Sequence, residues 1–512
     1  MPLSRTAARR LAAGLALAVG GALVLTGCFS SSGSTDAAGS DGRIRLAMLQ
    51  PPRSGLNPLS DDAFKLSRWS TAETLVVLDA DGDAQPALAT AWRQTDPTTW
   101  TLDVRQGVTF HDGTPLTAEA AAASLMAAAG ASPKPRILDG VDLTAVAQGD
   151  QVVVTTAVAD PLVPQRLSSP QLAVLAPSAY GADGVVDPVG TGTGPFELVA
   201  VDGTSGATLD RYTGYWGEEA RASGIDVRFV PDGTARAAAL RTGEADVVEA
   251  IPVGQAGQID PDLVHEVPMP RTNTLYLNTA SGPFADPGVR AAAAAALDRA
   301  ALVETVYEGR ADVAEGLLGP ALPWAAGQRD TEAYERVVAG RAEPSRVDGV
   351  PVTLGTFTDR AELPEVAVLV EQQLEAAGFV VTQDVREYQY IEADALDGAF
   401  DAFILSRATV LDSGDPAAYL YSDFACDGSF NLSQFCSPVV DAALQAAAAA
   451  TPGDERRTAV AAAEASILAA DAAVPMLHER VIQGEARGVS GVERDPRERA
   501  LITNRSAVAG DR

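Results

Sequence analysis

Ala87–Leu125 reads ALATAWRQTDPTTWTLDVRQGVTFHDGTPLTAEAAAASL. From Thr99 onward it predicts two short strands, a turn and an amphipathic helix. Asp112-Gly113 supplies the turn, Thr117 is a good N-cap, and Glu119 sits where a negative charge favours the helix dipole. His111, at the strand-to-turn corner, offers a catalytic base on paper, but a residue at such a corner is more often structural.

Working outward, RIRLAML begins an alternating strand at Arg43, and GDQVVVTTAV alternates again after a Gly149-Asp150 turn. GIDVRFVP, a helix over Thr234–Thr242 and ADVVEAI form a strand–helix–strand unit. VPVTLGTF, a helix over Leu363–Ala377 stopped by Gly378, and FVVTQDVRE form a second. This alternation predicts an α/β protein with parallel sheets covered by helices. DPGVRAAAAAALDRAALVETVYEG is expected to be one helix, with Asp286 as N-cap, Pro287 at its first position and Gly309 as its stop.

The chain has 512 residues and a formal net charge of −30. Arg5, Arg9 and Arg10 form a basic head before an uncharged apolar run, Leu11–Leu25, too short for a spanning helix. Residues 1–27 are therefore expected to be a secretory signal, and removing its three arginines leaves the mature chain still more acidic. Such a surface disfavours nucleic acid as a partner. Leu25-Thr26-Gly27-Cys28 resembles the lipobox of bacterial lipoproteins, whose cysteine carries diacylglycerol. Residues 28–42, rich in Ser and Gly, then serve as a flexible tether. Acyl chains at ~0.8 kcal/mol per buried methylene would hold the protein on the outer face of the cell membrane.

Outside the cytoplasm, Cys426 and Cys436 in ACDGSFNLSQFC are expected to form a disulfide. A metal pair there would need two further ligands, and no histidine lies nearby. The chain holds three histidines, far apart in sequence, and lacks G-x-S-x-G, S-x-x-K and the phosphate loop ending in Gly-Lys. No enzyme activity, cofactor or resident metal is expected. A secreted hydrolase using a carboxylate pair near Asp412 is the distant alternative.

The stretch at 87–125 resembles the signature region of the family 5 extracellular solute-binding proteins, the peptide- and nickel-type receptors of ABC importers. Further matching segments follow in order: GTGPFELV, YWGEEARASGIDVRFVPDGTARAAALRTGEADVVEAI, DPGVRAAAAAALDRAALVETVYEGRADVAEG, DSGDPAAYL, GSFNLSQFCSPVVDAAL and AVPMLHERVI. The resemblance covers about Arg43 to Ile482. It implies a two-lobed type II periplasmic-binding-protein fold with a subdomain inserted in the first lobe. Lobe I is expected over 43–272 plus 478–512, with the insert at about 60–189, and lobe II over 273–477. The chain crosses between lobes near RTNTLYLNT and PMLHERV, and such crossings act as hinges.

The implied function is capture of a peptide or peptide-like solute and delivery to an ABC permease and its ATPase, by a monomer. A metal-chelate receptor of the nickel type is the runner-up, and a sensor without a transport role is a third reading. Asp412 matches the family aspartate that pairs with a ligand ammonium, and Asp415 the structural aspartate beside it. Ser413, Gly414, Tyr419 and Asn273 complete the implied ligand-binding set. Where relatives carry Gly-Trp, this chain has LSRATVLD. Arg407, near the tryptophan's place, suits a ligand carboxylate or else a salt bridge to one of the chain's own acids.

Overall fold

The computed structural model describes residues 42–181, 184–410 and 413–509. The signal sequence, Cys28, most of the tether and Asp412 lie outside the described residues.

An 11-stranded sheet runs the length of the protein. At one end Val350–Phe357 and Phe379–Arg386 pair in parallel, joined by the helix Glu362–Ala376. At the other, Arg43–Met48 lies between Gly224–Phe229 and Val247–Val248, parallel to both. The helix linking those two, Gly233–Thr242, has the Asp232 side chain accepting from the Ala235 amide and Gly243 closing it in the left-handed region. Both expected strand–helix–strand units are therefore present.

Two long antiparallel strands, Val264–Leu277 and Ala473–Glu485, join the two ends of the sheet. One core cluster is built wholly from residues between Leu275 and Leu477. Another, from Ile44 to Val247, is completed by Leu501 and Ile502 of the tail. The tail is fixed there by Ser67 and Ser70 hydroxyls donating to the carbonyls of Arg499 and Ile502, at 2.6 and 2.8 Å.

A separate four-stranded antiparallel sheet is formed by Ala89–Asp96, Thr99–Val104, Gln151–Thr156 and Leu143–Gln148. It packs with the helix Ala118–Ala129 around its own core, Leu75 to Ala176. Thr117 caps that helix as expected, accepting from the Ala120 amide at 3.2 Å.

The GTGPF segment has a steric reason. A Cβ on Gly192 or Gly194 would lie 1.9 Å from the carbonyl oxygen of Thr71 or Ser70, so only glycine admits that approach. His111 belongs to the same junction. It is buried, its Nε2 lies 2.8 Å from the Gly194 carbonyl, and its ring meets Tyr212 edge-on at 4.7 Å. It takes the structural role.

The expected single helix at 286–309 is two. Asp286 caps Pro287–Ala296, but Asp298 then caps a fresh helix, Arg299–Val306, by accepting from the Ala301 amide at 3.0 Å. An aspartate placed three residues before a free amide starts a new helix as readily as it tolerates the interior of an old one.

Candidate functional site

The two crossing strands do not pair evenly. Pro268 is opposite Arg480, yet the next pair is Thr272 with His478. Three residues, Met269-Pro270-Arg271, therefore face Glu479 alone. Pro268 and Pro270 have no amide hydrogen to give the ladder, so the sequence VPMPRTN cannot continue a regular strand here. The bulge lies where the chain passes between the two ends of the sheet. It is flanked by charges held in pairs. Arg480 donates to Asp312 at 3.0 Å and to Glu266 at 2.8 Å, and Arg360 pairs with Glu479 at 2.6 Å.

Arg407 lies on the neighbouring strand Ala402–Ala408, opposite Thr272. It donates from Nε and Nη2 to the two carboxylate oxygens of Asp423, at 2.8 and 2.7 Å, and stacks 4.2 Å from the centre of the Phe430 ring. The Tyr276 hydroxyl donates to Asp423 at 3.3 Å. Burial pushes the Asp423 carboxyl up to about 6, against the pull of Arg407, which holds it ionised at neutral pH. The geometry gives Arg407 the salt bridge, made through Nε and Nη2.

The other expected residues separate into two groups. Asn273 is 0% exposed, and its Nδ2 donates to the Tyr307 hydroxyl at 3.1 Å. Tyr419 is buried against Phe424 and lies beside Arg407. Both side chains are buried in this arrangement. Ser413 and Gly414 are buried in a contact between their loop and a hairpin. Ser413 accepts from the Asp415 amide at 3.4 Å. Asp415 accepts from the Ala417 amide at 2.8 Å, so it caps Ala417–Phe424 as expected, and its carboxylate also holds the buried Arg456. Cys426 and Cys436 are joined by a disulfide that closes the loop after this helix.

Gly414 faces the tip of the hairpin formed by Val76–Leu78 and Ala84–Pro86. A Cβ on Gly82 would come within 3.0 Å of the Gly414 carbonyl oxygen, and a Cβ on Gly414 (φ +71°) within 2.4 Å of Leu78. Asp83 forms an ion pair with Arg457 beside them. The crevice these residues line with Trp324 and Pro452 has about 30 Å³ open to water. That is room for a water or two, so the arm and the Gly414 loop must part to admit anything larger.

The sequence reading missed Arg271, Asp423, the Arg360–Glu479 pair and the Asp83–Arg457 contact. The Pro-x-Pro spacing before Arg271 was the one local signal of an interrupted strand. The pairs join residues far apart in the chain and leave no local trace.

Residues 83–431 match the bacterial extracellular solute-binding proteins, family 5 middle, and the chain belongs to that family. The glutathione-binding protein GsiB of Salmonella typhi is 29% identical over 314 residues, covering 59% of this chain and 61% of that protein. The nickel-binding periplasmic protein of Escherichia coli (strain K12) is 29% identical over 270 residues, 49% of this chain and 51% of that one. The chain thus spans between half and about three fifths of the length of the curated relatives it matches. The crystal structure of a nickel ABC transporter from Bacillus halodurans superposes with a TM-score of 0.79 at 26% identity, covering 91% of this chain and 100% of that one. DppA from Helicobacter pylori, in complex with the peptide STSA, superposes with a TM-score of 0.69 at 20% identity, covering 91% and 98%. The fold is the two-lobed α/β fold of periplasmic binding proteins. Among the described residues, no helix is long and apolar enough to cross a membrane.

Proposed function

We propose that this chain is the solute receptor of an ABC importer, closing two lobes on a peptide or peptide-like solute. The observation that carries the reading is the bulged pair of crossing strands within one continuous sheet. Two lobes whose chain connections lie there can swing, and a solute that touches both favours the closed state in proportion to the contacts it gains. In this reading lobe I is 43–272 with 478–512, carrying the insert at about 60–189, and lobe II is 273–477. Asp412, four residues beyond the strand that holds Arg407, pairs with a solute ammonium. Cys28 carries the lipid that keeps the receptor beside its permease. The Cys28→Ser variant is expected in the medium and the parent in the membrane fraction; a membrane-bound variant with its leader removed would contradict the anchor.

A metal chelate is the second reading. It is supported by the relatives named for nickel, and by the lack, among the described residues, of any grouping of three His, Cys, Asp or Glu that could hold a bare ion. A metal would arrive already wrapped in an organic ligand. Calorimetric titration with short peptides, with glutathione and with a nickel–histidine complex separates the two. For an amine-bearing peptide, Asp412→Asn is expected to lower affinity roughly 10- to 100-fold, since bonds to a charged group are worth ~1.5–3 kcal/mol. Unchanged affinity would remove Asp412 from the site. Failure of every probe would remove the receptor reading.

A further inference from the structure

Of the arginines with a buried Nε that lacks a partner, all but one are engaged through another nitrogen. Arg68 pairs with Glu249, and Arg299, Arg329 and Arg497 donate to backbone carbonyls. Arg499 also donates, to the Ser168 carbonyl and hydroxyl. Arg271 is the exception. Among the described residues its side chain makes no hydrogen bond and no ion pair, and its Nε is shut away from solvent. Its position is fixed by its neighbours. Arg271 pairs in register with Ala408, and the Thr409 amide donates to the Pro270 carbonyl at 2.8 Å. The charges that act on it are Arg360, Glu479, Glu498 and Arg407. Arg360 and Glu479 are paired with each other, and Arg407 with Asp423. Glu498 stands beyond ion-pair distance, on the tail that closes lobe I. Arg271 thus sits in the bulge beside the end of strand Ala402–Ala408, a cation that feels two further arginines and, among the described residues, pairs with no carboxylate.

A guanidinium kept part-buried without a partner costs stability. Here the bulge holds it in place at the pivot of the two lobes. We propose that Arg271 is an anion-binding residue of the cleft, and that the captured solute presents a carboxylate to it. This rests on the solute-receptor reading above. A peptide C-terminus and a carboxylate of a metal chelator share the chemistry, and a planar guanidinium takes either through two parallel hydrogen bonds.

Two measurements on the mature protein and its Arg271→Gln variant test it. First, freed of solute, the variant is expected to melt at the same temperature as the parent or a few degrees higher, because a charge without a partner has been removed. A lower melting temperature would mean a structural role and overturn the proposal. Second, calorimetry compares pooled di- to tetrapeptides bearing free carboxylates with the same pool amidated at the C-terminus, and nickel–histidine with nickel–histidinamide. In at least one of these two pairs the parent is expected to bind the free acid at least about 10-fold more tightly than the amide, and Arg271→Gln to abolish that preference. The pair that discriminates identifies the source of the carboxylate. Equal binding of acid and amide by the parent, or a preference that survives in the variant, overturns the role of Arg271 and leaves the receptor reading standing. If no probe binds the parent, both fall together.

Discussion

Arg407 and Asp423 form a pair whose cost and benefit are both large. The Asp423 side chain is 0% exposed, and removing one partner of a buried pair leaves an uncompensated charge worth about 3–5 kcal/mol. Arg407→Met is therefore expected to lose roughly that much stability in urea unfolding, with Asp423→Asn in the Arg407→Met background recovering part of it. A variant of normal stability and lost affinity would return Arg407 to the solute. His111 gives a residue-scale test in pH. In the unfolded chain it protonates near 6.5, but burial holds it to about 4 in the folded protein. Between those values the unfolded chain binds more protons, so the His111 contribution is complete above 6.5 and is lost as pH falls towards 4. The loss is at most about 3 kcal/mol at 1.36 kcal/mol per pH unit. Asp423 runs the other way over part of this range, but it is common to parent and variant. The stability gap between the parent and His111→Gln should accordingly narrow from neutral pH to about 4. A constant gap would mean that His111 is not held neutral. Of these residues the sequence disclosed the corner position of His111 and the two possible fates of Arg407. It could not choose between them, because Asp423 reaches Arg407 only once a strand and a helix have packed.

At the scale of elements, patterning carried most of the strands and caps, since alternation and N-capping side chains act within a few residues. Thr117, Asp232 and Asp415 each cap the helix that follows. The failure at Leu297-Asp298 came from the same physics, because Asp298 suits a helix start and the surrounding alanines hid the break. The bulge at Met269–Arg271 depends on what the partner strand supplies opposite it, which no single segment records. The contact between the Val76–Pro86 hairpin and the Gly414 loop makes a prediction here. In Gly414→Ala the new methyl meets Leu78 while the arm is closed, so stability in urea unfolding should fall by roughly 1–3 kcal/mol. Adding Leu78→Ala should restore most of it. No rescue would place the defect in the strained backbone of residue 414 rather than in closure.

For the molecule as a whole, the two segments expected to cross between lobes fall in the paired strands Val264–Leu277 and Ala473–Glu485 of one sheet. What the sequence could not supply was the balance of charge across the hinge. There Arg480, Arg360 and Arg407 each hold a carboxylate and, among the described residues, Arg271 holds none. In the proposed reading, that imbalance is made good by the solute the protein captures. The most direct measurement is native mass spectrometry of the chain purified from its own host, followed by the same measurement after unfolding. The account predicts one small carboxylate-bearing solute per folded chain, released on unfolding. A folded protein that carries only its own mass, and gains none when offered peptides or nickel–histidine, would contradict it.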